Sequence, residues 1–380
     1  MRLALAQARR ASGRTWPNPP VGAVVVRGER VLGRGYTRPP GGPHAEVVAL
    51  DAARRRHGAA ALRGATLAVT LEPCCFTGRT PPCTDAILAA GIARVLVGQR
   101  DPHPRVAGRG LRLLRARGVA LATGVLDDAC REQHQGFTSV LERGRPFVAL
   151  KLAATLDGRI ATARGESRWI TGEAARARVH ALRAVSDAVA VGSETARADD
   201  PELVARRDGR VVHRPVRVVF DAALTLPPRG RLARAPDPER TWVLAAPDAP
   251  AARRRALARA GVRVLDLPRR GGHLDLPRAL AALAREGLTT LLVEGGGGLG
   301  AALLRAGLVD ELHWFTAPSC LGADARPALG PLGVERLDAR LALEDVEVRR
   351  LGADLYLRGR VARRPGGPGR RRRARAGTPA

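Results

Sequence analysis

Short apolar runs recur along this chain, and most are followed by a stretch in which apolar residues return at helical spacing. "VGAVVV", "ATLAVTL" and "ARVLVGQ" in the first third, then "DAVAVG", "VRVVF", "TWVLAA", "VRVLDL" and "TTLLVE", have the length and β-branched content of buried strands. Amphipathic candidates lie between them: the residues up to Ala11, a helix from His44, "TDAILAAG" and "GRGLRLLRARG". Such alternation predicts an α/β fold of helices layered on sheets. The charged Gly/Pro break "ERGRP", Glu142 to Pro146, divides the pattern. At 380 residues the chain also exceeds the size at which one core keeps growing. Two domains are therefore expected, 1–143 and 146–362, followed by a basic, disordered tail over 363–380.

The formal charge of +28 invites a nucleic-acid partner, but the arginines are scattered and aromatic residues make up only 3% of the chain, so stacking platforms for bases are missing. The opening "MRLALAQARRASGR" has the Arg-rich look of a transit peptide and fits an amphipathic first helix at least as well. Five sparse cysteines and the lack of a long apolar span point to a reducing, soluble compartment without disulfides.

Three of those cysteines fall within "LEPCCFTGRTPPC". Cys74 follows a strand end and a proline, and Cys83, eight intervening residues later, opens a helix whose dipole favours a thiolate. Thirty residues before Cys74, "PHAEVVAL" supplies His44 and Glu46 at a helix start. One imidazole and two thiolates are the ligand set that leaves zinc an open fourth position for water. A carboxylate that is close but unligated can carry a proton from that water to a leaving nitrogen, a role for Glu46. H-x-E followed by P-C and a further P-C is the pattern of zinc nucleobase deaminases, although the nucleic-acid-editing members space their cysteines as C-x-x-C.

"TTLLVEGGGGLGAALL" passes from strand through glycines to helix and contains G-x-G-x-x-G at Gly295, Gly297 and Gly300. Backbone amides there can approach a pyrophosphate, but the motif sits late in its domain and lacks the acid a Rossmann unit carries about twenty residues on. Lys151 is the one lysine among 64 Lys and Arg residues. In an arginine-drifted composition it marks a place where a compact ammonium serves and a planar fork does not.

"PNPPVGAVVV", "GGPHAEVVAL", "LEPCCFTGRTPPCTDAILAAG", "DPHPRVAGRG", "LKLAATLDGRIA", "GESRWIT", "ARADDPELVAR" and "LLVEGGGGLGAALLRAGLVDEL" together resemble the bifunctional deaminase-reductases of riboflavin biosynthesis, in order and over residues 1 to about 360. The resemblance implies a cytidine-deaminase-like domain followed by a dihydrofolate-reductase-like domain. The first would deaminate a diaminopyrimidinone ribosylamine phosphate, and the second would reduce its ribosyl group with NADPH. It also implies zinc on His44, Cys74 and Cys83, with Glu46 as proton carrier, and Asn18 and Arg79 on the substrate. In the second domain it implies cofactor contacts from Ala153, Trp169, Thr195, Asp199 and the segment Gly296, Gly297, Gly298, Leu299, Gly300, Ala301 and Ala302. Substrate contacts would come from Ser167, Arg183, Leu203, Arg206 and Glu294, with Lys151 beside the sugar. A cytoplasmic homo-oligomer with no nucleic-acid or membrane partner is expected. Two departures stand out: Phe76 where the family usually has His, and Thr37 where many members have His. A related deaminase-reductase acting on another pyrimidine is the alternative that Phe76 raises.

Overall fold

The first apolar runs become the strands of a five-stranded sheet. The chain runs α1 (Arg2–Ala11), β1 (Gly22–Arg27), β2 (Arg30–Tyr36), α2 (Ala45–His57), β3 (Thr66–Leu71), α3 (Cys83–Ala89), β4 (Arg94–Gln99), α4 (Arg109–Ala116) and β5 (Ala120–Thr123) in a computed structural model that describes residues 1–362. The tail expected from Arg363 lies outside the described residues. Strand order is β2-β1-β3-β4-β5, with β1 antiparallel to both neighbours and β3, β4 and β5 parallel. The opening residues form the helix α1, whose buried Ala4 and Ala8 pack on β1.

Close approach is what the glycines of β1 and β2 provide. A Cβ on Gly22 would lie 2.0 Å from the Ala4 carbonyl oxygen of α1, and one on Gly33 would lie 2.2 Å from that of Ala49 in α2. Gly33 pairs with Val25, whereas Gly22 pairs with Tyr36, so the two helices cover opposite faces of the sheet. β2 was not among the expected strands because Gly33, Arg34 and Gly35 interrupt its apolar alternation.

Two helices, α5 (Asp127–Gln133) and α6 (Gln135–Arg143), lead to the second half. A Cβ on Gly136 of α6 would lie 2.6 Å from Thr290 Cγ2, so α6 seats directly on the second sheet. The break at "ERGRP" is clamped by Asp310, which accepts from Arg145 Nη1 and Nη2 at 2.6 and 2.8 Å and from the Val148 amide at 2.8 Å, and also pairs with Arg143.

The second sheet has nine strands: β6 (Phe147–Thr155), β7 (Ala188–Gly192), β8 (Val216–Phe220), β9 (Thr241–Ala245), β10 (Arg263–Asp266), β11 (Thr290–Glu294), β12 (Glu311–Ala317), β13 (Leu343–Leu351) and β14 (Asp354–Val361). Their spatial order is β10-β9-β8-β7-β11-β6-β12-β14-β13, parallel from β10 through β12 and antiparallel at β14 and β13. One face packs α10 (Leu276–Arg285) and α11 (Gly297–Arg305) through Leu280, Leu283, Leu303 and Leu304. The other packs α7 (Glu173–Val185), α8 (Ser193–Asp199) and α9 (Ala251–Arg259) through Val179, Leu182, Ala196 and Leu257. β12, β13 and β14 were absent from the strands read in sequence. β13 is exposed along most of its length, so no core pattern marks it. Among the described residues no helix is long and apolar enough to cross a membrane.

Candidate active sites

His44 caps the N-terminus of α2 and Cys83 is the first residue of α3, so two helix starts meet at the loop that follows β3. His44 Nδ1 lies 3.6 Å from Cys74 Sγ and 3.3 Å from Cys83 Sγ, and the three donors form a cluster within 4.8 Å. Bonds of about 2.0 to 2.3 Å to a tetrahedral zinc place donor atoms roughly 3.5 Å apart, so this triangle fits the ion and leaves a fourth corner free. The Cys83 amide donates to Cys74 Sγ at 3.3 Å, the helix-start support expected for a thiolate. The far ring atom, Nε2, faces the Thr80 hydroxyl at 3.5 Å, a partner that orients the ring and that no sequence pattern announced.

Glu46, two residues after His44, is buried but outside the donor cluster. Burial pushes its carboxyl up to about 7, and the neighbouring Cys74 adds to the rise. A hydrogen bond from the Cys83 thiol holds Cys74 well below the ordinary thiol value, and His44 acts in the same sense. Cys75 points elsewhere, toward the Arg105 carbonyl at 3.9 Å. Glu72, also unread in the sequence, accepts from the amides of Asp101, Gly108 and Leu111 at 3.3, 2.9 and 3.2 Å and so fastens the "DPHPRVAGRG" loop beneath the cysteines.

Phe76 stacks on His103 with centroids 6.0 Å apart, and the Arg105 guanidinium lies 3.9 Å from the Phe76 ring centroid. Thr37 is buried and accepts from the Val21 amide at 3.2 Å, which gives it a structural task at the start of β1. Asn18 is half-buried in a turn closed by its amide on the Thr15 carbonyl at 2.8 Å. Arg79 is exposed one residue from Thr80.

In the second half, Glu294, Lys151 and His313 are register partners across β11, β6 and β12, so they share one face of the sheet. Arg183 reaches down from α7 to hold Glu294 bidentately, Nε to Oε1 at 2.6 Å and Nη2 to Oε2 at 2.8 Å. Burial pushes the Lys151 ammonium down from its ordinary value, opposed by Glu294. Ala153 follows two residues on, on the same face. His313, 2.7 Å from the Tyr356 hydroxyl and 2.9 Å from Glu311, extends this polar row in strands that the sequence reading lacked.

At the C-terminal end of β11, Gly295 and Gly296 take φ of 74° and 64°, and a Cβ on either would lie 2.8 or 3.1 Å from the Thr195 side chain. Thr195 and the glycine segment are thus brought together at the ends of parallel strands, where cofactors of α/β sheets bind. Gly298 has no neighbour within 4 Å of its Cβ position, so the start of α11 lies open to a phosphate. Leu299 and Ala302 are half-buried, whereas Gly300 and Ala301 are buried in the helix packing. Trp169 is 71% exposed beneath the Arg176 guanidinium at 4.8 Å, Ser167 is half-buried nearby in sequence, and the Asp199 carbonyl accepts from Arg168. Leu203 is buried in the core at φ 54°, which leaves only its backbone for a ligand. Arg206 is paired with Glu202 at 2.7 Å.

Comparison with known proteins places both halves. The RibD C-terminal domain family matches residues 146–357, and the cytidine and deoxycytidylate deaminase zinc-binding region matches residues 1–99. The riboflavin biosynthesis protein RibD of Escherichia coli is 40% identical over 351 residues, covering 89% of this chain and 92% of that one. Acinetobacter baumannii RibD superposes with a TM-score of 0.84 at 36% identity, covering 95% of this chain and 98% of that one. The diaminohydroxyphosphoribosylaminopyrimidine deaminase/5-amino-6-(5-phosphoribosylamino)uracil reductase of Thermotoga maritima gives 0.79 at 33% identity, with 95% and 97% covered. The donor triangle at the first sheet and the lysine-bearing row at the second therefore sit in a chain that belongs to the RibD family of bifunctional, zinc- and NADPH-dependent deaminase-reductases of riboflavin biosynthesis.

Proposed function

We propose that residues 1–143 deaminate the ring of a diaminopyrimidinone ribosylamine phosphate and that residues 146–362 then reduce its ribosyl group to ribityl. The observation that carries this reading is the zinc-fitting triangle of His44, Cys74 and Cys83 with a buried, unligated carboxylate beside it. When bound, zinc supplies the Lewis acidity that makes water nucleophilic near neutral pH. Glu46 then moves a proton from the attacking water to the departing amino group, so that ammonia leaves and a ring carbonyl remains. Asn18 orients the pyrimidine, and Arg79 pairs with the phosphate, whose oxygens match a guanidinium fork.

NADPH supplies the hydride for the second step. Gly296 to Gly298 and the start of α11 would hold its phosphates, with Thr195 against the glycines. Ala153, Trp169, Asp199 and the rest of the segment through Ala302 complete that contact surface. Arg183 and Glu294, locked together, wall the sugar pocket with Ser167, Arg206 and the Leu203 backbone, and Lys151 places its ammonium against the ribosyl oxygens. The protein acts as a cytoplasmic homo-oligomer on this small-molecule substrate. Incubating it with the diaminopyrimidinone ribosylamine phosphate, with and without NADPH, tests the order. Mass analysis should find the deaminated uracil form alone without NADPH and its ribityl derivative with it. Ribosyl reduction of the undeaminated ring would overturn the sequence of steps.

A further inference from the structure

A cavity of about 1060 Å³ opens between the two halves, walled by Arg14, Trp16 and Arg79 from the first and by Arg214, Arg240 and Arg285 from the second. A second cavity of about 350 Å³ is walled by Arg206, Arg229, Arg231 and Arg234, and it shares Val211 and Arg214 with the first. The two spaces therefore adjoin, with Val211 and Arg214 as their common wall. Neither cavity is lined by the zinc ligands or by Lys151, but each has a wall residue one step from a residue that contacts them. Arg79 is adjacent to Thr80, whose hydroxyl faces His44 of the zinc triangle. Val204, in the wall of the smaller cavity, accepts through its carbonyl from Arg183 Nη1 at 3.1 Å, and the same guanidinium holds Glu294 beside Lys151.

The walls are cationic in effect as well as in count. The two carboxylates of the larger cavity already have partners, Asp237 on Arg217 at 2.8 Å and Glu286 on Arg263 at 2.7 Å. Glu202 in the smaller one is shared by Arg206 and Arg231. Among the described residues no carboxylate lies within ion-pair distance of Arg14, Arg79 or Arg214. His213, between them, is pushed down to about 4, chiefly by burial, with Arg14 and Arg240 adding to the fall. An imidazole in that wall stays neutral and the positive potential comes from guanidinium groups alone.

We propose that these adjoining cavities, with the Arg214 side chain between them, form a passage along which the phosphorylated product of the deaminase site moves to the reductase site without release into bulk solvent. This inference rests on the functional reading above. The phosphate is untouched by either reaction, so it is the one handle present from entry to exit. Guanidinium forks pair with phosphate oxygens, and a groove lined by one sign of charge raises the local concentration of the opposite sign. A series of arginines from Arg79 through Arg14 and Arg214 to Arg206 offers successive partners for that group, so release from one need not be release to water.

The test compares the lag before steady NADPH oxidation, starting from the diaminopyrimidinone substrate, in the wild-type chain and in an equimolar mixture of Glu46→Gln and Lys151→Arg chains, where the intermediate must cross between molecules. The passage predicts a severalfold shorter lag for the wild type. It also predicts that Arg214→Glu, alone or with Arg14→Glu, lengthens the lag to that of the mixture while each half-reaction, assayed separately, keeps its rate. A variant-free arm raises the salt concentration: at about 1 M the Debye length falls to roughly 3 Å and the wild-type advantage should shrink. Equal lags in wild type and mixture, or an advantage that survives both charge reversal and salt, overturn the passage alone. Loss of either half-reaction in the wild type itself overturns the functional reading beneath it.

Discussion

Cys75 stands next to a zinc ligand yet turns its sulfur away, which makes it the natural control for the triangle. Cys75→Ser should retain zinc and deamination, whereas Cys83→Ser should lose both; elemental analysis of the two purified variants decides the ligand assignment. The triangle was legible in sequence because P-C at a strand end and P-C at a helix start are local signals. Thr80 and Glu72 were not, because what they hold is set only by the path of the loop between Cys74 and Cys83 and of the 101–110 segment. Lys151 stands out through composition, as the lone lysine in an arginine-rich chain, and the structure places it beside Glu294 on β11. Lys151→Arg should leave deamination intact and slow NADPH oxidation by about a hundredfold, the scale of a misplaced contact at a reacting centre. A guanidinium there would have to fit between Glu294 and the Phe315 ring, which lies 5.9 Å from Nζ. Phe76 holds its place by stacking on His103 beneath Arg105, contacts that an imidazole can also make. Phe76→His should therefore fold normally and raise the deaminase specificity constant for the riboflavin precursor. A fall would mean that the pocket is shaped for another pyrimidine.

At the scale of elements, β7, β8 and β9 were legible because they are buried on both faces and read as unbroken apolar runs. Two of those that escaped did so for physical reasons that can be named. β2 gives up side chains so that α2 can lie against its backbone, and β13 faces solvent, where no apolar period is demanded. The same close approach of helix to strand, here of α1 on the legible β1, makes a sharp prediction. Gly22→Ala places a methyl group 2.0 Å from the Ala4 carbonyl and 2.5 Å from the Ala8 amide nitrogen, and neither backbone atom can rotate away. The substitution should cost about 3 kcal/mol, at the upper end for an overpacked site, read as a lowered denaturation midpoint with unchanged zinc content.

For the whole molecule, the charge of +28 proved compatible with many internal pairings, and one of these decides how the halves behave together. Asp310 grips Arg145, the Val148 amide and Arg143 at the very break that marks the joint in sequence, while α6 presses its Gly136 onto Thr290 of β11. A joint held in this way is a splice rather than a tether. Thermal inactivation should then be a single event: after timed heating, surviving deaminase and surviving reductase activity should decay along one curve. Asp310→Asn, which breaks a mostly buried ion pair worth about 3 to 5 kcal/mol when one partner is removed, should part the two curves. A cell carrying the intact chain would accordingly lose or keep both consecutive reactions at once, and heat damage would leave no stranded intermediate behind.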